Sequence, residues 1–256
     1  AAAGAIVEDL ICPITMELPA DPVMAEDGRI YERSAIERHF QKGGSNEDGK
    51  SKSPMTNAWI GQNLIAAVQV RNIIEKLVEG GTVEDEYVHG WKRRMKEKKE
   101  VEELTERAED GDGEACLELG KLYIRGQRGL VVDETKAKSW FQKAADAGNV
   151  TGMAWAGWYC ASDMENVQAA SLMGMAAGAG SDMACIYFAY WFAQGEYGIP
   201  VNKKQAIRLL EKALSGTCSH KSAGPSLMEK AQRMLQELYH ADDEDEEGND
   251  GDRNNE

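Results

Sequence analysis

The sequence predicts a small α+β region, then an all-α solenoid of helical repeats, then a disordered acidic tail. Three observations lead there. Short apolar runs broken by turn residues fill residues 6–80. Small residues recur at fixed offsets over 111–240. The final stretch, 241–256, reads ADDEDEEGNDGDRNNE, nine acidic residues against one arginine.

In the first region, Val23-Met24 and Arg29-Ile30-Tyr31 flank Ala25-Glu26-Asp27-Gly28. An Asp-Gly between short apolar segments signals a β-hairpin. Ala35, Ile36, His39 and Phe40 then follow helical spacing up to Gly43-Gly44, where a helix should stop. Residues 43–53, GGSNEDGKSKS, read as a polar loop. A second helix runs from Val68 to Leu77, with Val70, Ile73, Ile74 and Leu77 on its apolar side. A charged connecting helix over 91–110 opens with Lys92, Arg93, Arg94, Lys96, Lys98 and Lys99 and turns acidic afterwards. That order opposes the helix dipole, and the basic cluster reads as one solvated face. A contact surface or nuclear localisation patch is the alternative.

The third region repeats. Ala115, Gly152 and Ala184 are each followed five residues later by a small residue: Gly120, Gly157 and Ala189. Ala137, Ala169 and Ala206, spaced 32 and 37 residues apart, are each followed seven residues later by another alanine. Gly148, Gly180 and Gly216 close the units. Periods of this length mean stacked helix pairs, with small residues where helices cross closely. Leu227, Ala231, Met234, Leu235 and Leu238 line one face of a closing helix over 226–240. The aromatic clusters Trp155, Trp158, Tyr159 and Tyr187 to Phe192 lie on the first helices of units two and three. Most are expected to pack between helices, and some to line the concave face that solenoids use for binding.

Charge and cysteine content narrow the function. The chain of 256 residues carries 29 Lys+Arg and 44 Asp+Glu, net −15, of which −8 sits in the last 16 residues. Such a block buries no core and is expected to be disordered. The balance argues against a nucleic-acid partner, since a phosphate backbone favours Lys and Arg. No apolar run approaches the ~20 residues needed to span a bilayer, so no membrane partner is expected. The first residues lack the pattern of a signal peptide, and without an initiator Met the chain reads as a fragment of a longer protein. Cys12, Cys116, Cys160, Cys185 and Cys218 are odd in number and contain no CxxC. They therefore read as reduced thiols of a cytoplasmic or nuclear protein, not as a disulfide framework or zinc site.

A RING-type loop fold needs two tetrahedral zinc sites, yet residues 1–80 offer only Cys12 and His39 as Cys/His ligands. Hydrogen bonds and salt bridges must support the loops instead, with Asp21, Glu26, Arg29, Glu37 and Lys52 as candidates. His39 reads as packing or hydrogen bonding, and Cys12 as a buried small side chain. The ordered series Leu10-Ile11-Cys12-Pro13-Ile14-Thr15-Met16-Glu17-Leu18, Asp21-Pro22-Val23, Gly28-Arg29-Ile30-Tyr31, Arg33, Ile36, Ser53-Pro54-Met55-Thr56 and Leu64-Ile65 resembles a U-box. The repeats resemble the Sel-one-like class of tetratricopeptide relatives. Gly120-Lys121-Leu122-Tyr123 with Gly126, then Trp140 and Lys143-Ala144-Ala145, fit the first unit; Gly195, Leu209-Leu210 and Lys212-Ala213 fit the third. The second lacks the long inter-helix loop.

The resemblance implies a zinc-free RING-like fold and ubiquitin-ligase activity, with no catalytic residue, metal or cofactor of its own. Its partner would be a ubiquitin-conjugating enzyme loaded with ubiquitin. Pro13, Ile14 and Met16 on one loop, and Lys52, Ser53 and Pro54 on another, would form the docking surface. The repeats would recruit a protein substrate or chaperone-like partner, with Trp155, Tyr159, Tyr187 and Trp191 as candidate contacts. Such domains also pair, so a homodimer is an expectation. The family usually has Pro-Asn after the Leu-Ile pair, where this chain has Ala66-Ala67. A non-catalytic scaffold with a degenerate U-box, or a nuclear assembly factor, is the alternative reading.

Overall fold

The computed structural model describes the backbone of residues 2–250 and the side chains of residues 6–240. The chain divides into two units, residues 1–106 with 121–134, and residues 107–120 with 135–256.

The first unit opens on helix α1 (Ala2–Leu10), an alanine-rich stretch of high helix propensity that carried no periodic signal. The Asp27-Gly28 hairpin forms as expected. Strands β1 (Pro22–Met24) and β2 (Ile30–Glu32) pair antiparallel with Val23 opposite Tyr31. Helix α2 (Arg33–Gly43) follows and buries Ala35, Ile36 and Phe40. The stretch 43–53 is not loop throughout, because it ends in β3 (Ser51–Lys52), which pairs with β4 (Trp59–Ile60). β5 (Ile65–Ala66) adds to the other edge of β1, giving the order β2-β1-β5. Helix α3 (Val68–Glu79) places Ile74 in the core while Ile73 stays exposed.

Two apolar clusters hold this unit. One joins Cys12, Val23, Tyr31, Ile36, Phe40 and Ile60. The other joins Val7, Leu18, Ile74, Val83 and Trp91, with Val88 and Met95 against it. The second cluster corrects the reading of the charged helix. α4 (Asp85–Glu109) starts earlier than expected, and its first turns are core. Tyr87, Val88, Trp91 and Met95 fall on one helical face and cover Leu18 and Ile74. Lys92, Arg93, Lys96 and Lys99 are exposed, as a solvated face requires, but Arg94 and Lys98 turn inward to Glu17 and Asp21.

In the second unit the small-residue pattern becomes helix crossings. The paired helices are α5 (Gly113–Arg125) with α6 (Glu134–Asp146), α7 (Val150–Ser162) with α8 (Asn166–Gly178), and α9 (Asp182–Gln194) with α10 (Lys203–Leu214). Ala137, Ala144, Ala169, Ala176, Ala184, Ala189 and Ala206 are all 0% exposed. A Cβ on Gly120 would come within 2.5 Å of the Phe141 ring, and one on Gly152 within 2.5 Å of the Ala144 Cβ. Only hydrogen fits at those two crossings, and the dense packing leaves no room to adjust. Gly148, Gly180 and Gly216 take φ of 81°, 89° and 74°, the left-handed turn that ends a helix and favours glycine. The closing helix α11 (Pro225–Asp250) seats Ala231 and Leu235 in the core. Of the acidic segment 241–256, expected to be disordered, residues 241–250 continue α11 and residues 251–256 lie outside the described residues. The helix meets no glycine or proline between Ser226 and Glu247, so no helix breaker stops it earlier.

Candidate docking surface and partner groove

The two loops expected to dock a partner close over the same core cluster. The first is a tight turn in which Cys12 N donates to Glu17 O (2.9 Å) and Met16 N donates to Cys12 O (2.8 Å). Met16 sits at φ 57° and is 68% exposed. Pro13 is half-buried, and Ile14 is half-buried against Cys12 and its neighbours, so it presents part of its side chain to solvent and part to the core. In the second loop Ser53 N donates to Ala58 O (2.8 Å) and Asn57 N to Ser53 O (3.0 Å). Pro54 is half-buried, and Lys52 is exposed with its ammonium 5.4 Å from the centre of the Trp59 ring. Met55 and Trp59, which residue-level reading missed, are 51% and 49% exposed on this loop. Their signal was available: large apolar side chains flanking a turn at Asn57, which takes φ 58°.

Ser53 is a correction. It is buried, and its hydroxyl serves the loop itself. Ser53 Oγ donates to Asp27 Oδ2 (2.6 Å) and accepts from Met55 N (3.2 Å) and Thr56 N (3.0 Å). A serine with its hydrogen-bonding capacity filled inside the domain supports a docking surface without belonging to it.

Carboxylates brace the segments around these loops. Asp27 also accepts from Tyr31 Oη (2.8 Å) and Arg29 N (3.0 Å). Glu26 accepts from Gly61 N (2.7 Å), and Glu32 accepts from Ala20 N (2.7 Å) and Asp21 N (3.2 Å). Asp21 gathers three cations: Arg33 at 2.7 Å, Lys98 at 3.2 Å and Arg71 at 3.7 Å. His39 Nε2 meets the Lys52 carbonyl at 2.9 Å, the hydrogen-bonding role read for it. Of the expected supports, Asp21 and Glu26 hold loops through their carboxylates. Glu37 pairs with Arg33 at 3.8 Å on its own helix. Arg29 contributes its backbone amide to the network. Asp27 and Glu32 were not foreseen.

Burial alone would raise the Asp21 carboxyl, but the Arg33 hydrogen bond and the Lys98 charge outweigh it and hold the group below its ordinary range. Asp27 is lowered against its own burial by the Ser53 bond, the Arg29 amide and the Tyr31 hydroxyl. Burial, and then the Asp27 carboxylate, push the Tyr31 phenol up. For a carboxyl with a lowered folded pKa, the unfolded chain binds more protons as acid is added, so stability present at neutral pH is lost on acidification. The first unit should therefore lose stability as pH falls from about 5 toward 2. Asp21→Asn should flatten that acid limb and lower neutral-pH stability by about 2 kcal/mol. Unfolding midpoints measured across the range check this; an unchanged acid slope would show that Asp21 is not the group responsible.

The second unit carries an open groove between the last turn of α7, the outer face of α9 and α11. Trp158, Tyr187, Tyr190 and Trp191 wall it, Tyr197 stands beside Trp191 at 4.6 Å between ring centres, and Lys230 and Arg233 of α11 lie on its rim. The middle repeat supplies the Trp158 end of the groove. Its helices are joined by residues 163–165 alone, whereas the first and third pairs are joined by 126–133 and 195–202. Of the four expected partner contacts, Tyr187 lines the groove half-buried and Trp191 forms its floor at 3% exposure. Tyr159 is a correction: it is 4% exposed and stacked on Phe141 at 5.8 Å, so it is core. Trp155 is half-buried, stacked on Phe141 at 5.1 Å, and lies outside the groove lining. Trp158 and Tyr190, on the same two helices, also line the cleft.

Residues 6–80 match the family model of the U-box domain, and residues 113–149 and 182–216 match the Sel1 repeat. Among relatives, U-box domain-containing protein 18 of Arabidopsis thaliana is 40% identical over 74 residues, 28% of this chain and 10% of that protein. WD repeat, SAM and U-box domain-containing protein 1 of Homo sapiens is 48% identical over 52 residues, 20% of this chain and 10% of that one. A protein of Acanthamoeba polyphaga mimivirus named as a probable bifunctional E2/E3 enzyme is 35% identical over 77 residues, 30% of this chain and 5% of its own length. The chain thus spans no more than 10% of any of these three relatives. A Sel1 repeat protein from Oxalobacter formigenes has a solved structure that aligns over 54% of this chain and 98% of its own, with 25% identity and a TM-score of 0.43. This chain carries a U-box domain at residues 6–80, followed by Sel1 repeats.

Proposed function

We propose that this protein is a ubiquitin–protein ligase. Its U-box binds a ubiquitin-conjugating enzyme, and its repeats hold the protein to be modified. The observation that carries the reading is the exposure of apolar side chains on two loops of a U-box domain: Met16 on one, Met55 and Trp59 on the other, with Ile14, Pro13 and Pro54 half-buried at their bases. Lys52 lies beside that surface. An apolar centre with a charged residue at its edge suits a docking site, where a few buried anchors supply most of the affinity.

No side chain of this protein enters the covalent chemistry. The amine of a substrate lysine attacks the thioester carbonyl that joins ubiquitin to the conjugating enzyme's cysteine. An isopeptide bond forms as the amine nitrogen gives up a proton to solvent, the carbon–sulfur bond breaks, and the cysteine sulfur leaves as thiolate. The ligase contributes orientation, by binding preferentially the arrangement in which the thioester is open to attack. The Sel1 groove supplies proximity, raising the effective concentration of a bound partner's lysines near the thioester. Five free cysteines suit work in the cytoplasm or nucleus, where thiols stay reduced.

The test is full-length protein mixed with ubiquitin, activating enzyme, ATP and a panel of conjugating enzymes. Ubiquitin chains on the ligase itself are expected with at least one enzyme. Inactivity across the panel would leave a non-catalytic scaffold as the reading.

A further inference from the structure

The sequence marks the basic end of the charged helix as a solvated surface, and the U-box match ends at residue 80, before that helix begins. The contacts show something different. Arg94 reaches from α4 to the stem of the first docking loop and grips it twice. One guanidinium nitrogen pairs with Glu17 Oε2, and the other donates to the Leu18 carbonyl at 2.6 Å. The Arg94 side chain is only 17% exposed. Three features of the helix bring it there. Trp91, one turn earlier, is anchored in the core beside Leu18 and Ile74. Gly90 lets the helix backbone come close, since a Cβ there would stand 2.9 Å from Glu17 Oε1. Lys98, one turn later, fastens the same strip to Asp21 at 3.2 Å. Trp91, Arg94 and Lys98 are spaced i, i+3, i+7, a single helical face.

The residue gripped is the one that follows Met16. Met16 occupies the left-handed region at φ 57°, a conformation disfavoured for a residue with a side chain. Such a residue holds its place only where its surroundings over-determine it. On one side the loop is closed by the Cys12–Glu17 backbone bond. On the other, a planar guanidinium fixes a side chain and a carbonyl together, a geometry that lysine cannot reproduce.

We propose that Arg94 is a positioning residue for conjugating-enzyme docking: through Glu17 and Leu18 it holds the loop that presents Ile14 and Met16, so the ligase unit of this chain extends beyond the U-box into α4. This rests on the ligase reading above, and the experiment separates the two.

Full-length Arg94→Ala, Arg94→Lys, Glu17→Gln and Ile14→Ala are compared in single-turnover discharge of ubiquitin from a loaded conjugating enzyme onto free lysine. Ligase concentration is varied at a temperature where circular dichroism shows each variant fully folded. Ile14→Ala is expected to raise the half-saturating concentration by about tenfold or more. Arg94→Ala is expected to raise it about fivefold with the saturated rate unchanged, Arg94→Lys to recover part of that, and Glu17→Gln to fall between. If Ile14→Ala weakens docking while Arg94→Ala leaves half-saturation within about twofold, the positioning role is refuted and the docking reading stands. If Arg94→Ala lowers only the melting temperature or the saturated rate, with half-saturation unchanged, Arg94 is merely structural and the proposal is wrong. If no variant, Ile14→Ala included, changes half-saturation, the docking reading falls and takes the proposal with it.

Discussion

Trp91→Ala should cost the first unit about 3–5 kcal/mol of stability, the range for deleting a core aromatic. Trp91 is 8% exposed and packs with Val7, Leu18, Ile74 and Val83, which come from four separate segments. Removing it leaves a void that those segments cannot jointly fill. One feature moderates the loss. Trp91 Nε1 is buried with no hydrogen-bond partner among the described residues, an unfavourable state that the mutation also removes. The expected loss therefore sits toward the low end of the range. Trp91→Phe sharpens the point, because it keeps most of the apolar area and deletes the unpaired donor. It should be within about 1 kcal/mol of the parent protein. Denaturant unfolding of the full chain by circular dichroism, fitted to separate transitions for the two units, measures both. Equal, small losses would mean that α4 is peripheral to the core.

Asp27→Ala should be nearly as damaging, at about 3–4 kcal/mol, because it removes the carboxylate that accepts from two buried donors. Those donors are the Tyr31 phenol and the Ser53 hydroxyl, on residues 0% and 3% exposed. Water has little room to replace the carboxylate. The Ser53 hydroxyl also accepts from Met55 N and Thr56 N, so its reorientation would loosen the whole second loop. Discharge of ubiquitin by the folded fraction should fall at least about tenfold, while Asp27→Asn, which retains an accepting oxygen, should cost about 1 kcal/mol. Unfolding curves and discharge rates on the same preparations decide this. A folded, fully active Asp27→Ala would show that the loop is positioned by something else.

How much of this was legible in sequence depended on whether the deciding interaction was local. The hairpin was legible because Asp27-Gly28 sets a turn within a few residues. The helix crossings were legible because Ala137, Ala144, Ala169, Ala176 and Ala206 repeat at positions where only a small side chain fits, and each is fully buried. The loop ties were not. Glu32 accepts from an amide twelve residues away and Ser53 donates across 26, so neither leaves a mark in its own neighbourhood. Ser53 was placed at the interface because its position in an ordered series matched a docking loop; the buried acceptor Asp27 made it internal. Trp91, Arg94 and Lys98 were hidden for another reason. Their shared face is interrupted by Lys92, Arg93 and Lys96, and the net composition of that stretch is basic enough to read as solvated throughout. The groove was half legible: Tyr187 and Trp191 were on the right helix, but the facing wall comes from α11, which only packing reveals.

The central claim is that an exposed apolar surface on the two U-box loops activates a loaded conjugating enzyme. The most direct measurement is single-turnover discharge of a ubiquitin thioester onto free lysine, with and without the full-length protein, using the parent sequence and Ile14→Ala. The claim requires acceleration by the parent protein that saturates with its concentration, and little acceleration by a folded Ile14→Ala at the same concentrations. Discharge no faster with the parent protein than without it, across a panel of conjugating enzymes, would contradict the claim; so would equal acceleration by Ile14→Ala.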